Sequence, residues 1–311
     1  MAKIKLIKNN SITWEQGYKL FIHEHCELRN LRPSTIKHYN EIMTYSWYKY
    51  YDKNNLLCDL SQSDLDNYIT YLKNTNISST TINIYLKAIK SIIRFYKSKK
   101  FIEYNLSLSL IRADTEPIET YTDEEIKILL KKPKTNSFAE YRNWVIINFL
   151  CNTGCRRSTL INIHIEDIDL INNIVYYRHT KTRRNYRVPI TNSLVIILRE
   201  YIEYLPSDCV YLFPTVLGEQ MKVRTLTHTI DDYNKHRGCS TGIHKFRHWF
   251  AKKSVMNGMD LITLQKILGH SSLDMLKRYV NLLCSDINNN ETINPLETML
   301  KSNSRISIRR K

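Results

Sequence analysis

The sequence predicts a mainly α protein with a small antiparallel β-sheet, divided into two domains. Three observations point there. The chain has 311 residues, more than one hydrophobic core usually serves. Apolar side chains recur at three- and four-residue steps, several times behind a Ser or Thr suited to cap a helix. Two β-branched runs, Ile174 to Tyr177 and Arg187 to Ile190, bracket a polar turn.

After an N-terminal extension (1–12), residues 13–105 read as four helices. Thr13 and Gln16 form a capping box ahead of Trp14, Tyr18, Phe21 and Ile22 on one face. A second helix starts near Pro33 with Ile36, Tyr39, Met43 and Trp47 at helical spacing, and Ser61 with Asp64 opens a third through Leu65, Tyr68, Ile69 and Leu72. From Ser79 onward Ile82, Leu86, Ile89, Ile93 and Tyr96 share one stripe. Lys87, Lys90, Arg94 and Lys97 step in the same rhythm on another face, which either tracks a phosphate backbone or is simply solvated.

A polar stretch, 106–120, lacks periodicity and reads as a linker. The second domain, 121–285, opens with a capping box of Thr122 and Glu125, with Tyr121 placed as a staple. A helix through Trp144 to Leu150 stops before Gly154, which suits a left-handed C-terminal position. The two strands follow. Helices then run from Ser193 to Leu205, Leu226 to Lys235, His244 to about Asn257 and Asp260 to Leu268. Residues 286–311 form a basic C-terminal tail, with Leu296, Met299 and Leu300 suggesting a short apolar helix before five cations from Lys301 to Lys311.

Lys and Arg outnumber Asp and Glu by 46 to 30, a formal charge of +16. Such a surplus points to a polyanionic partner, nucleic acid first, although a codon bias toward Lys would raise the same count. The seven cysteines are scattered without paired C-x-x-C units and the chain opens without an apolar signal segment, so a reducing cytoplasm is expected. No run nears the roughly 20 apolar residues of a membrane span. His23, His25 and Cys26 have no second ligand pair at zinc spacing. The seven glycines form no nucleotide-binding loop. The expectation is therefore chemistry without cofactor or metal.

Within the second domain stand Thr153-Gly154-Cys155-Arg156, then Thr180-Lys181-Thr182 in the turn between the strands. His244-Lys245-Phe246-Arg247-His248 and Leu268-Gly269-His270 follow, and Tyr279 stands nine positions beyond His270. Breaking a phosphodiester needs a nucleophile, cations for the transition-state charge and a proton donor for the leaving oxygen, and these motifs contain all three. Their order resembles that of the phage integrase, or tyrosine recombinase, family. The resemblance spans about residues 13 to 285, because the first block is similar to the family's helical SAM-like core-binding domain and the second to its α+β catalytic domain.

The resemblance implies a site-specific recombinase that cleaves and rejoins DNA strands through a 3′-phosphotyrosyl intermediate, with Tyr279 as nucleophile. Arg156 and Arg247 offer planar forks to phosphate oxygens. Arg157 is the rival for the first role, and the T-G-x-R register favours Arg156. His244 and Arg247, three apart, share a helix face, and the family assigns His244 to proton transfer. His248 reads as a packing residue. His270 follows Gly269 at a helix end, where the turn can aim its imidazole at a phosphate. Lys181 is the general acid by the family's hairpin lysine and because arginine barely releases a proton; Arg183 and Arg184 beside it are DNA contacts, as are Lys87, Lys90, Arg94 and Lys97.

Two positions depart from the family pattern. Thr159 stands where glutamate is common, and Met275 and Leu276 replace frequent threonines. The implied partners are double-stranded DNA with specific core sites and a homo-tetramer on two duplexes, in the cytoplasm and with no membrane. In that family a tail such as this one can dock on a neighbouring subunit. The few residues before the first helix lead one to expect no arm-binding domain. Alternatives are a DNA-binding protein of this fold with catalysis lost, or an enzyme resembling type IB topoisomerases.

Overall fold

The computed structural model describes residues 12–102, 105–113, 118–178 and 185–269. The chain divides into two compact units, 1–116 and 117–311.

In the first unit, α1 (Trp14–Leu20) begins at the Thr13/Gln16 capping box, with Thr13 Oγ1 accepting from the Gln16 N–H and Gln16 Oε1 from the Thr13 N–H. Its axis continues through wider π-type turns at Phe21–Glu27. Helix α2 (Pro33–Ile42) has Pro33 in its first turn and likewise continues through π-type turns, Met43–Trp47, into the short α3 (Tyr48–Tyr50). A five-residue hydrogen-bond step lets Phe21 and Cys26 both face inward, as do Met43, Ser46 and Trp47. The Ser61/Asp64 box opens α4 (Gln62–Lys73), and Ser78 caps α5 (Ser79–Ser98).

These helices close on an aromatic core. Trp14 lies 4.7 Å from Trp47 and edge-on to Tyr96 at 5.3 Å, and Trp47 meets Tyr68 edge-on at 4.7 Å. The apolar stripe of α5 is buried as its spacing predicts, while Lys87, Lys90 and Arg94 are exposed. Lys97 differs. It is half-buried, and its Nζ donates to the Leu106 carbonyl at 2.8 Å and to Asn105 Oδ1 at 3.2 Å.

The stretch read as a linker is in part structured. Leu106 and Leu108 are buried against the helical core. Two side-chain amides pair with the extended backbone as a neighbouring strand would. Gln62 exchanges two 2.9 Å hydrogen bonds with Ser107, and Asn83 exchanges bonds of 2.9 and 3.0 Å with Ile111. Leu106, Leu108 and Leu110 alternate with polar residues, a spacing of two that carries no helical periodicity.

In the second unit the Thr122/Glu125 box opens α6 (Asp123–Leu129). Helix α7 (Phe138–Thr153) buries Trp144, Ile146, Ile147 and Phe149 on several sides, packs against three later helices and ends at Gly154 in the left-handed conformation. Helix α8 (Arg157–Leu160) and a 3-10 turn (Ile165–Asp167) lead into the sheet. There β1 (Ile168–Asp169), β2 (Ile174–Tyr177) and β3 (Tyr186–Pro189) pair antiparallel in the order β1-β2-β3. Val175 faces Val188, and Tyr177 faces Tyr186. The two-residue β1 was not foreseen. At the hairpin base Arg178 Nε reaches the buried Asp167 carboxylate at 2.6 Å. Helices α9 (Asn192–Glu203), α10 (Val223–Lys235), α11 (Ile243–Met256) and α12 (Leu261–Leu268) complete the unit, each within a few residues of its predicted start.

Candidate active site

The site is built on two left-handed glycines. Gly154 ends α7 with φ +59 and Gly269 ends α12 with φ +60. Both turn the chain where backbone carbonyls are needed as acceptors. Arg247, on the first turns of α11 and buried, donates from Nη1 to the Gly154 carbonyl and from Nη2 to the Leu268 carbonyl, each at 2.8 Å. Arg156, which precedes α8 in an extended conformation, donates from Nη2 to the Gly269 carbonyl at 2.9 Å. Two guanidinium groups from separate motifs thus converge on one turn. The Arg156 Nη1 is buried and has no hydrogen-bond acceptor among the described residues. A buried donor left unmatched costs about 1–3 kcal/mol, and such a group is ready to receive an anion.

The start of α11 is held from several directions. Gly242, at φ +118, donates its N–H to Asp231 Oδ1 at 2.9 Å. Its carbonyl accepts from the Tyr121 hydroxyl at 3.3 Å, and that oxygen accepts from buried Asn234 Nδ2 at 2.7 Å. Glu125 Oε1 accepts from the Ser240 N–H at 2.7 Å while Oε2 holds the Thr122 N–H. Burial opposes ionisation of Glu125, but the N–H groups of Thr122 and Ser240 overcome it and hold its carboxyl below the usual range. Tyr121 also packs its ring 4.3 Å from that of Phe246. Its sequence reading as a staple captures only part of its work.

His244 is exposed at this helix start and lines an open cavity of about 490 Å³ with Arg157, Thr227, Lys245 and His248. Lys245 Nζ pairs with Glu119 Oε2 at 2.7 Å on its rim. Arg157 therefore lies beside His244, whereas Arg156 shares the glycine turn with Arg247. His248 is half-buried; burial first, then His244 and Arg247, push its imidazole down to about 4. Cys155, fully inside, has its thiol pushed up to about 12 by burial, which makes it an inert packing group rather than a nucleophile. Thr159 is buried, and its hydroxyl has no partner among the described residues.

Lys181, Arg183, Arg184, His270 and Tyr279 lie outside the described residues. The sequence reading missed Asp231, Asn234 and Glu125 as holders of the α11 start. Arg237 is engaged internally by Glu140 at 2.6 Å and by the Tyr233 ring at 3.5 Å.

Residues 119–285 match the model of the phage integrase family, a segment that contains the T-G-x-R, H-x-x-R-H and L-G-H motifs and Tyr279. The chain belongs to the phage integrase family. It is 29% identical over 237 residues to tyrosine recombinase XerA of Saccharolobus solfataricus, spanning 74% of this chain and 77% of that protein. To tyrosine recombinase XerC of Staphylococcus carnosus it is 26% identical over 227 residues, spanning 70% and 76%. As a phage integrase family member with such relatives, it is a tyrosine site-specific recombinase, an enzyme of DNA recombination.

Solved structures share the fold. The Tn1549 transposon integrase in complex with a circular intermediate DNA superposes with a TM-score of 0.71 at 21% identity, covering 86% of this chain and 95% of that one. A lambda integrase dimer bound to a COC′ core site gives 0.66 at 15% identity, covering 85% and 97%.

Proposed function

We propose that this recombinase cuts one DNA strand by attack of Tyr279 on a phosphodiester held by Arg156 and Arg247. The single observation that supports this most is the convergence of the two guanidinium groups on the Leu268–Gly269 turn, with Arg156 Nη1 buried and unmatched among the described residues. A free phenol, with pKa near 10, attacks poorly at neutral pH, so neighbouring cations must favour its phenolate. The Tyr279 oxygen forms a bond to phosphorus as the bond to the 5′ oxygen breaks. The arginines take up charge on the non-bridging oxygens, His244 takes up the phenol proton, Lys181 gives its proton to the 5′ oxygen, and His244 and His270 orient the phosphate. The 3′-phosphotyrosyl linkage retains the bond energy, so a 5′ hydroxyl of another strand reverses the step without ATP.

In this reading residues 13–105 bind DNA at specific core sites, aided by the exposed Lys87, Lys90 and Arg94 and by Arg183 and Arg184, with Lys97 the lesser contact because Leu106 and Asn105 already hold its ammonium, and 121–285 perform the chemistry. A homo-tetramer on two duplexes, acting in the cytoplasm, completes strand exchange. The test is covalent capture on a nicked duplex in excess chelator. Wild-type chain should be trapped on the DNA, and Tyr279→Phe should bind without being trapped. Trapping of the phenylalanine variant overturns the nucleophile. Lys181→Ala should be slowed about 100- to 10,000-fold and recover on a substrate whose 5′ bridging oxygen is sulfur; failure to recover moves the acid to His244. A two-site strand-exchange assay beside plasmid relaxation separates recombination from topoisomerase action.

A further inference from the structure

Tyr186 opens β3, directly after the hairpin segment that contains Lys181. Its ring stands edge-on to that of its cross-strand partner Tyr177 at 5.1 Å, and Tyr177 is fully buried. The other side of the phenol lies on Gly269. A Cβ added at Gly269 would stand 2.8 Å from the Tyr186 hydroxyl oxygen, 2.9 Å from Cζ and 3.0 Å from Cε1, so the phenol tip rests where only glycine leaves room. That same residue offers its carbonyl to Arg156, and its neighbour Leu268 offers one to Arg247.

We propose that Tyr186 is a positioning residue: its phenol seats the Leu268–Gly269 turn from the sheet side and so fixes the two carbonyls on which Arg247 and Arg156 are aligned. This rests on the reading of those arginines as the phosphate-binding pair. A ring wedged between Tyr177 and a glycine cannot shift far without moving one of them, because packed interiors leave few voids. Burial raises the Tyr186 hydroxyl above its ordinary range while Arg156 and Arg247 oppose the rise, which places the phenol within the field of both guanidinium groups. The ring thereby links the strand that follows the hairpin to the turn that precedes His270, two segments joined only through tertiary contact.

The experiment compares Tyr186→Ala, Tyr186→Phe, Gly269→Ala and the Tyr186→Ala/Gly269→Ala double variant on a nicked duplex. The duplex has a cleavage sequence recovered by mapping wild-type covalent complexes across genomic DNA. Non-covalent affinity and the rate of covalent capture at saturating DNA are read separately. Tyr186→Ala should slow capture by about 10- to 100-fold, as a displacement on the order of 1 Å does, with affinity nearly unchanged. Tyr186→Phe keeps the ring and should recover most of the rate. Gly269→Ala should be impaired alone, yet cost less once the ring is gone, since the added methyl then has space; that non-additivity identifies the contact. Where Tyr186→Ala does not fold, Tyr186→Leu, which keeps buried volume but not the phenol tip, takes its place in the single and the double variant, because Gly269→Ala alone also strains a left-handed backbone. Capture by Tyr186→Ala at the wild-type rate, or a phenylalanine variant as slow as the alanine one, or costs that simply multiply, would each overturn the proposal. Arg247→Ala is the control for the underlying reading. If it captures DNA at the wild-type rate, the arginine assignment fails; if it is inactive while Tyr186→Ala is normal, the positioning role alone fails.

Discussion

Arg247 Nη1 donates to the Gly154 carbonyl at 2.8 Å, so the arginine of the H-x-x-R motif is held by the glycine of the T-G-x-R motif. The first motif thus does more than supply Arg156. Its glycine ends α7, turns the backbone and presents an acceptor to the second arginine. A Cβ on Gly154 would stand 2.5 Å from Phe250 Cδ1 and 2.8 Å from Leu268 Cδ2, at φ +59.

Gly154→Ala should therefore be costly on two counts. The left-handed backbone costs about 1–2 kcal/mol for a residue with a Cβ, and overpacking typically adds about 1–3 kcal/mol. Urea unfolding should show the sum, and capture at saturating DNA should fall because the displaced Leu268 accepts from Arg247. A variant as stable as wild type would mean that Phe250 moves aside freely.

Tyr121→Phe should loosen the start of α11. The hydroxyl joins the Gly242 carbonyl to buried Asn234, and its removal leaves both without that partner. Leaving buried polar groups unmatched costs about 1–3 kcal/mol. The expected pattern is a lower urea midpoint and slower capture with DNA affinity retained, because His244 and Arg247 lie on the helix that this loop aims. Unchanged capture would show that the remaining bonds, from Asp231 and Glu125, suffice.

Features encoded by neighbouring residues were legible from the sequence. Thr13 with Gln16, Ser61 with Asp64 and Thr122 with Glu125 each open a helix at the next residue, because a capping box is satisfied within four positions. Gly154 and Gly269 were legible as helix ends for the same reason. The second role of Glu125 was not, since Ser240 reaches it only through the fold. Nor could Tyr186 be chosen from 21 tyrosines, when what distinguishes it is a glycine in a distant helix turn. The burial of α7 on several sides likewise erases the stripe that marks an amphipathic helix.

His248 gives the second unit an acid-sensitive stability. Its imidazole, ordinarily at 6.5, is pushed down to about 4, mainly by burial and then by His244 and Arg247. Between these values the unfolded chain binds a proton that the folded chain refuses, so unfolding is favoured as the pH drops. The contribution is full above about pH 6.5, declines through the window and levels below about pH 4. His248→Gln cannot titrate there. The stability difference between wild type and this variant should fall from pH 7 to pH 4.5, and a flat difference would show an imidazole open to water.

The basic face of α5 makes a prediction that the structure sharpens beyond the sequence. Sequence spacing treats Lys87, Lys90, Arg94 and Lys97 as equivalent, but the first three are exposed and the fourth is tied to Leu106 and Asn105. DNA binding releases counterions in proportion to the phosphates neutralised, at a slope of about 0.9 per contact. Replacing Lys87, Lys90 and Arg94 with Gln should therefore flatten the log–log dependence of affinity on salt by roughly one unit per residue. Lys97→Gln should change that slope less, since its ammonium already has protein acceptors. It should instead loosen the 105–113 segment, read as faster amide exchange at Ser107 and its neighbours. An unchanged slope in the triple variant would mean that the α5 face is only solvated, and a full unit lost on Lys97→Gln would mean that its ammonium leaves Leu106 for the DNA.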